Sequence, residues 1–129
     1  QQLSIIKQLV SDLNFPIEII GAETIREQDG LAISSRNRFL STEERKQSPA
    51  IHEALVEMTL SAEKQCSELI TLGKSIIESE APLSKIDYLE IVDRQTMEPI
   101  QTIDRPALAA VAIFLGNTRL IDNIEINSL

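Results

Sequence analysis

The chain has 129 residues, enough for one domain, and its 43% hydrophobic content suffices for a core that must be mainly aliphatic, since aromatic residues make up only 3%. Twelve basic and twenty acidic residues give a net charge of −8, which argues against binding to nucleic acid or to an anionic membrane surface. The single cysteine, Cys66, excludes an internal disulfide and a multi-cysteine zinc site, and we expect it to be half-buried in a helix. No stretch reads as a membrane span or a signal peptide, so we expect a cytoplasmic protein.

The N-terminal part predicts one helix and one strand. Hydrophobic residues recur on one stripe of residues 2–13, as in an amphipathic helix, and Pro16 lies just beyond its predicted end. The β-branched residues 17–20 predict a short strand, which Gly21 ends. A helix that leads into a buried strand is typical of an α/β unit.

The middle of the chain predicts a connector and then helices. Residues 23–33 have no clear periodicity and form the connector. The sequence from Ser41 to Glu44 matches a capping box, which predicts a helix that begins there. Pro49 removes a backbone donor inside this helical stretch. We expect either a kink or a short helix followed by a second helix that Ser48 caps.

The C-terminal half combines one helix with three strands. Residues 67–80 predict an amphipathic helix, and residues 86–93, 107–115 and 119–126 predict strands. Gly116 and Asn117 mark the turn between the last two. The expected fold class is α+β, with two or three helices on a short, mainly antiparallel sheet.

A polar run follows Gly30 and Ile33. Ser34, Ser35, Arg36 and Asn37 present two hydroxyls, a guanidinium and a carboxamide on consecutive residues. Hydroxyls and guanidinium groups hold phosphate oxygens, so the run is compatible with a polyphosphate site. Taken by itself, this short pattern is more typical of a polar loop without a ligand.

Four segments together resemble the pantoate–β-alanine ligase (pantothenate synthetase) family. The segments are Q-Q-L at residues 1–3, D-G-L-A-I-S-S-R-N-R-F-L at 29–40, I-D-Y-L-E-I-V-D at 86–93 and G-N-T-R-L-I-D-N at 116–123. The family also has an N-terminal nucleotide-binding domain with an H-x-G-H motif, whereas this chain has a single histidine, His52. The resemblance therefore implies the C-terminal part of such an enzyme, divided within its active site.

The resemblance implies two pieces of structure and one reaction. Residues 1–23 would be the last helix and strand of a Rossmann-like α/β domain, and residues 24–129 the C-terminal lid domain. The intact enzyme would condense pantoate with β-alanine through a pantoyl adenylate, consuming ATP with its Mg²⁺ and releasing AMP and pyrophosphate. It would be a homodimer, and this fragment alone would be inactive and monomeric. The alternatives are a non-catalytic interaction module, or the ligase part of a larger fused bifunctional enzyme.

The resemblance also implies roles for individual residues. Gln2 would bind pantoate, and Ile25 would contact the adenine of ATP through its backbone. Residues 33–36 would fold over ATP as the K-M-S-K-S loop does in class I aminoacyl-tRNA synthetases. In that segment Ile33 would offer a backbone contact, Ser34 and Ser35 would hold phosphate oxygens, and Arg36 would be catalytic, neutralising charge on the departing pyrophosphate. No residue is expected to bind a metal.

Other polar residues have simpler interpretations. His52 lies among aliphatic residues with no nucleophile pattern nearby, so we expect a structural role. Asp87, Glu90 and Asp93 match no metal-ligand spacing and are expected to form a solvated strand face.

Near the two polar segments, three further contacts are expected. Asn37 is predicted to cap the turn beside it, and Arg38 to form a surface ion pair. Arg119 and Asp122 are predicted to pair across or along the last hairpin.

Overall fold

The computed structural model describes residues 2–127, and its centre is a three-stranded antiparallel sheet in the order β1–β2–β3. The strands are β1 (Ser84–Asp93), β2 (Ala107–Leu115) and β3 (Thr118–Ile126). β2 is central and largely buried, as its unbroken apolar run predicts. Gly116, with φ 55°, and Asn117 form the turn to β3, because Leu115 pairs with Thr118. The predicted α+β class and the positions of all three C-terminal strands are confirmed.

Of the two arrangements expected around Pro49, the structure has the short helix followed by a second helix. α2 spans Thr42–Gln47 and α3 spans Ala50–Leu60, with Pro49 at the junction. The capping box is present: the Ser41 hydroxyl accepts from the Glu44 amide, and the Glu44 carboxylate accepts from the Ser41 amide at 2.7 Å. The predicted cap by Ser48 is wrong. Its backbone is helical rather than extended, and its hydroxyl donates to the Arg45 carbonyl at 2.8 Å.

The hydrophobic core lies between the sheet and the helices α3 and α4 (Cys66–Glu80). Gly73 allows α4 to approach closely, since a Cβ atom there would lie 2.6 Å from Met58 Sδ and 2.8 Å from Leu89 Cδ2. Cys66, at the start of α4, is buried rather than half-buried, and burial raises the pKa of its thiol. The core is aliphatic, as the composition predicts.

The N-terminal segment is not part of this core. α1 spans Gln2–Asp12 as expected, but none of its residues is buried. Residues 17–25 form no helix or strand, so the predicted strand at residues 17–20 is wrong for this chain. A strand requires a neighbour for its backbone hydrogen bonds. No described strand runs beside this segment, and Ile20 is 80% exposed.

Candidate functional site

A short two-armed ribbon, residues 25–33, leads into the polar run. Arg26 and Ala32 form an antiparallel bridge, and the Ile33 amide donates to the Ile25 carbonyl at 2.9 Å. Gly30, with φ 91°, lies in the turn between the arms. This φ is rare for residues with a Cβ, which accounts for glycine at this position. The two positions that the resemblance assigns to ATP through their backbones, 25 and 33, are therefore direct neighbours.

Two buried side chains, Leu31 of the ribbon itself and Asp122 of β3, attach the ribbon to the body of the molecule. Leu31 is 2% exposed and belongs to the core. Arg26 forms a two-pronged ion pair with Asp122 of β3, with N···O distances of 2.6 and 3.0 Å. The predicted pairing of Asp122 with Arg119 is wrong, because Arg119 instead binds Asp87 at 2.8 Å. On β3, Asp122 is buried and Arg119 is exposed, so the two side chains lie on opposite faces of the sheet.

The polar run forms a 3-10 helix, Ser35–Phe39, directly after the ribbon. Ser34 is its N-cap, and its hydroxyl accepts from the Arg36 amide at 3.2 Å. The prediction that Asn37 caps the turn is wrong; its side-chain amide instead donates to the Ala32 carbonyl at 3.0 Å and joins the helix to the ribbon. A hydroxyl can still donate while it accepts, so the Ser34 hydroxyl keeps one proton for a ligand.

Arg36 extends from this helix into an open groove. The groove has a volume of about 540 Å³ and is bounded by the 3-10 helix, the start of α2 and the β2–β3 turn. Its lining side chains include Arg36, Phe39, Glu44 and Arg119. The guanidinium of Arg36 is exposed and makes no ion pair with any carboxylate that the structure describes.

Arg36 and its neighbour Arg38 differ in this respect from the other arginines of the chain. The remaining five all pair with carboxylates: Arg26, Arg45, Arg94, Arg105 and Arg119. The predicted ion pair of Arg38 is not present among residues 2–127; its guanidinium stacks on Phe39, 4.7 Å from the ring centre. Arg36 is thus the arginine of residues 2–127 that lies beside two serines with neither a carboxylate nor an aromatic ring as its partner. This arrangement favours an external anion.

The turn of the ribbon, around Gly30, carries further charged groups. Arg45 of α2 bonds Asp29 at 2.6 Å and lies 3.6 Å from Glu27. The hydrogen bond from Arg45 holds the pKa of Asp29 below its usual value.

His52 also lies at the ribbon, 3.7 Å from Asp122 through Nδ1. Its Nδ1 is buried without a hydrogen-bond partner in the described part of the chain. Burial, and then the charge of Arg26, lower the pKa of His52, so the ring is neutral at pH 7. This geometry agrees with a structural role.

The acidic residues of β1 have ordinary partners. Asp87 binds Arg119, and Asp93 accepts the backbone amides of Gln95 and Thr96 at 2.7 and 2.9 Å, which lowers its pKa. Within residues 2–127, no group of three acidic, histidine or cysteine side chains could hold a metal ion. None of the described helices has the length and apolarity that crossing a bilayer requires.

The structure thus brings Ile25, Ile33, Ser34, Ser35 and Arg36 into one continuous surface. Gln2 is separate from it in the described contacts: its side chain is exposed on the first turn of α1, with no hydrogen bond to the ribbon. Arg26 cannot be recognised as part of the site from the sequence alone, because a single arginine in a connector belongs to no periodic pattern. Its partner, Asp122, lies 96 residues away.

Comparisons with known proteins point to one family. The family model for pantoate-beta-alanine ligase matches residues 1–125. The pantothenate synthetase of Ruminiclostridium cellulolyticum is 48% identical over 128 residues, which cover 97% of this chain and 45% of that protein. The pantothenate synthetase of Clostridium botulinum (strain Loch Maree / Type A3) is 46% identical over 125 residues, covering 95% of this chain and 44% of that protein.

Solved structures give the same result. The pantothenate synthetase of Thermus thermophilus superimposes with a TM-score of 0.90 at 37% identity, over 98% of this chain and 46% of that one. The pantoate-beta-alanine ligase of Francisella tularensis, solved with beta-gamma ATP and beta-alanine, gives a TM-score of 0.63 at 28% identity, over 95% of this chain and 39% of that one.

The sequence and structure matches therefore place this chain in a family of ligases. More narrowly, the chain belongs to the pantoate–β-alanine ligase family. It spans about 45% of the length of the curated relatives it matches.

Proposed function

We propose that this chain is the C-terminal part of an ATP-dependent enzyme that joins pantoate to β-alanine. In the first step the pantoate carboxylate attacks the α-phosphorus of ATP, forming pantoyl adenylate and expelling pyrophosphate. The amine of β-alanine then attacks the acyl carbon and expels AMP, which gives pantothenate. Family membership supports this reaction, and the Francisella tularensis relative was solved with an ATP compound and beta-alanine.

The observation that carries the proposal is the guanidinium of Arg36, which lies beside two serines and pairs with no carboxylate of residues 2–127. Negative charge accumulates on the β- and γ-phosphates as the bond to the α-phosphorus breaks. A guanidinium that is already in place stabilises that charge more in the transition state than in the bound substrate. The hydroxyls of Ser34 and Ser35 donate to phosphate oxygens, and the backbones of Ile25 and Ile33 flank the adenine. Mg²⁺ enters with ATP as part of the substrate, held mainly by phosphate oxygens and water.

The rest of the site lies outside this surface in the proposed enzyme. Gln2 binds pantoate, and residues 1–23 complete the nucleotide-binding domain that lies before residue 24. Residues 24–129 then act as a lid that closes residues 33–36 onto ATP and keeps water from the adenylate. The intact enzyme is a cytoplasmic homodimer, and this chain alone is a monomer that does not produce pantothenate. AMP release by the chain alone, at a rate ordinary for an enzyme, would contradict the divided active site.

The test uses the full-length protein that contains this sequence. Pyrophosphate release is measured with ATP and pantoate in the absence of β-alanine, which isolates the first step. Arg36→Ala should slow this step by about 10²- to 10³-fold, the usual effect of removing one preorganised donor, and should weaken ATP binding much less. Arg36→Lys should restore only part of the rate, because an ammonium cannot copy the planar two-pronged contact.

Arg38→Ala is the matched control. It removes an equally exposed guanidinium from the same helix, one that stacks on Phe39. Its rate should stay within a few fold of the parent. Equal effects of the substitutions at 36 and 38 would indicate a general loss of positive charge. A full-length protein that consumes no ATP with pantoate would favour the interaction module instead.

A further inference from the structure

We propose that Asp122 is a positioning residue for the nucleotide site, acting through Arg26 to hold the 25–33 ribbon in place. This inference rests on the proposed function, because it assigns to the ribbon the task of aligning residues 33–36 with ATP. Asp122 is buried and is not itself one of the proposed ligand contacts. Its effect must therefore pass through its partner.

The ion pair is built as an anchor rather than as a surface contact. The Asp122 side chain is 1% exposed and that of Arg26 is 21% exposed. Both carboxylate oxygens bind the guanidinium, at 2.6 and 3.0 Å, and one of them also accepts the Asn123 amide at 2.8 Å. A two-pronged pair fixes the direction of the arginine as well as its distance.

Arg26 also connects the two arms of the ribbon. Its Nη1 atom donates to the Gly30 carbonyl at 3.1 Å while it binds Asp122. Arg26 sits in the bridge opposite Ala32, between the arms that the Ile25–Ile33 backbone bond joins. One guanidinium thus holds the turn of the ribbon, its first arm and strand β3 together.

Two weaker polar contacts also hold the ribbon: the Arg45–Asp29 pair, whose side chains are 32% and 41% exposed, and the hydrogen bond from the Asn37 side chain to the Ala32 carbonyl at 3.0 Å. Ile25 is 75% exposed and Ile33 is 61% exposed, so neither gains rigidity from packing. Leu31 is the ribbon's buried apolar side chain. These contacts leave the ribbon freer to tilt than the two-pronged pair of Arg26 with a buried carboxylate does. Because residue 33 leads directly into Ser34, any tilt of the ribbon moves the Ser34–Arg36 segment.

Stability alone does not account for a charged pair at this position. A buried ion pair is often no more stabilising than a well-packed hydrophobic pair of similar volume, because both charges lose their water. The geometry that the pair imposes is what an apolar substitute would lack. His52 does not compete for the carboxylate, because its Nδ1 is 3.7 Å away and burial lowers its pKa, which leaves the ring neutral at pH 7.

The experiment compares three variants of the full-length protein with the parent: Asp122→Asn, Arg26→Lys and the double variant. Asparagine keeps the shape of the carboxylate but loses its charge and one acceptor, and lysine cannot make both contacts with Asp122 and the one with Gly30. Glu125→Gln is the matched control, since it breaks the exposed Arg94–Glu125 pair, 2.8 Å long, on the same strand. Pyrophosphate release is measured against ATP, and full turnover against β-alanine, with thermal unfolding recorded for every variant.

Each single variant should lower kcat/KM for ATP by about 10- to 100-fold, the effect of misplacing a site by roughly 1 Å, and leave KM for β-alanine within twofold. The double variant should lose no more than the worse single one, because both substitutions break one unit. Glu125→Gln should match the parent. If Asp122→Asn does not fold, Arg26→Lys, at the more exposed end of the pair, decides the proposal by the same comparison.

A purely structural pair would lower the unfolding temperature while kcat/KM for ATP stayed within twofold of the parent, and that result overturns the proposal. Additive losses in the double variant would also overturn it, since Asp122 would then not act through Arg26. If the proposed function itself is wrong, the experiment gives a different result. In that case the unmodified full-length protein releases no pyrophosphate from ATP and pantoate.

Discussion

Replacing Gly30 by alanine should destabilise the chain through two separable effects. A residue with a Cβ at φ 91° is strained, and such strained backbones cost about 1–3 kcal/mol. The new Cβ would also lie 2.5 Å from Cδ2 of His52, a contact that forces the ring to move. Overpacking of this kind costs about 1–3 kcal/mol. Alanine also lowers the entropy of the unfolded chain, which returns about 0.4–1 kcal/mol. The net loss should be roughly 1–5.5 kcal/mol of unfolding free energy.

The two effects can be separated by a double-mutant cycle with His52→Ala. Removing the ring should eliminate the steric part, so Gly30→Ala should cost only about 0–2.5 kcal/mol in that background. The assay is urea unfolding of all four proteins followed by circular dichroism, with Lys74→Ala on the exposed face of α4 as the neutral control. A loss for Gly30→Ala within about 0.5 kcal/mol of zero, as for a surface change, would refute the backbone argument. An unchanged loss in the His52→Ala background would refute the steric one.

Three further predictions concern charge, reactivity and local stability. The pKa of Asp29 is lowered by Arg45, so its stabilising effect is complete above its ordinary pKa of 3.8 and is lost as the pH falls through the lower folded value. Asp29→Asn should therefore destabilise the chain at pH 7 but much less at acidic pH below the lowered pKa of Asp29, as measured by urea unfolding, and a pH-independent difference would contradict this. Cys66 is buried with a raised pKa, so Ellman's reagent should modify it slowly in the native chain and rapidly in urea, and equal rates would contradict its burial. Amides of α1 should exchange faster than those of β2, because α1 buries no side chain, and equal protection would place α1 within the main cooperative unit.

The parts of the fold that the sequence predicted well are those in which local signals and burial agree. β2 is one unbroken apolar run between turn residues, and Gly116 lies where the chain reverses. Both ends of β2 were therefore predicted correctly. The Ser41–Glu44 capping box is formed by residues only three positions apart, so the sequence pattern is enough to predict it. The strand predicted at residues 17–20 failed because β-branched residues favour an extended chain but cannot supply a partner strand. Strand formation there depends on residues outside the described sheet.

The candidate site was predictable only in part for a similar reason. The serines and Arg36 are adjacent in the sequence, so their proximity required no knowledge of the fold. The Arg26–Asp122 pair joins two segments 96 residues apart, and only the folded chain reveals it. The sequence placed Asp122 in a pair with the nearest arginine along its strand. Residues three apart on a strand point to opposite faces, which makes that pairing unfavourable.

The exposure of Arg36 has a consequence for how the site must work. A guanidinium in open solvent attracts phosphate weakly, because water's high dielectric constant and salt both reduce the interaction. The same group becomes effective when a second surface covers it and excludes water. The groove beside Arg36 is open, and the aliphatic face of α1 is unburied in the described chain. A rigid ribbon on an independent core suits such an arrangement, because it holds Arg36 in one fixed orientation. The second surface, which covers the groove, excludes water and so lowers the local dielectric constant. In the proposed enzyme, affinity for ATP therefore depends on closure, and the precision of closure depends on how firmly the ribbon is held.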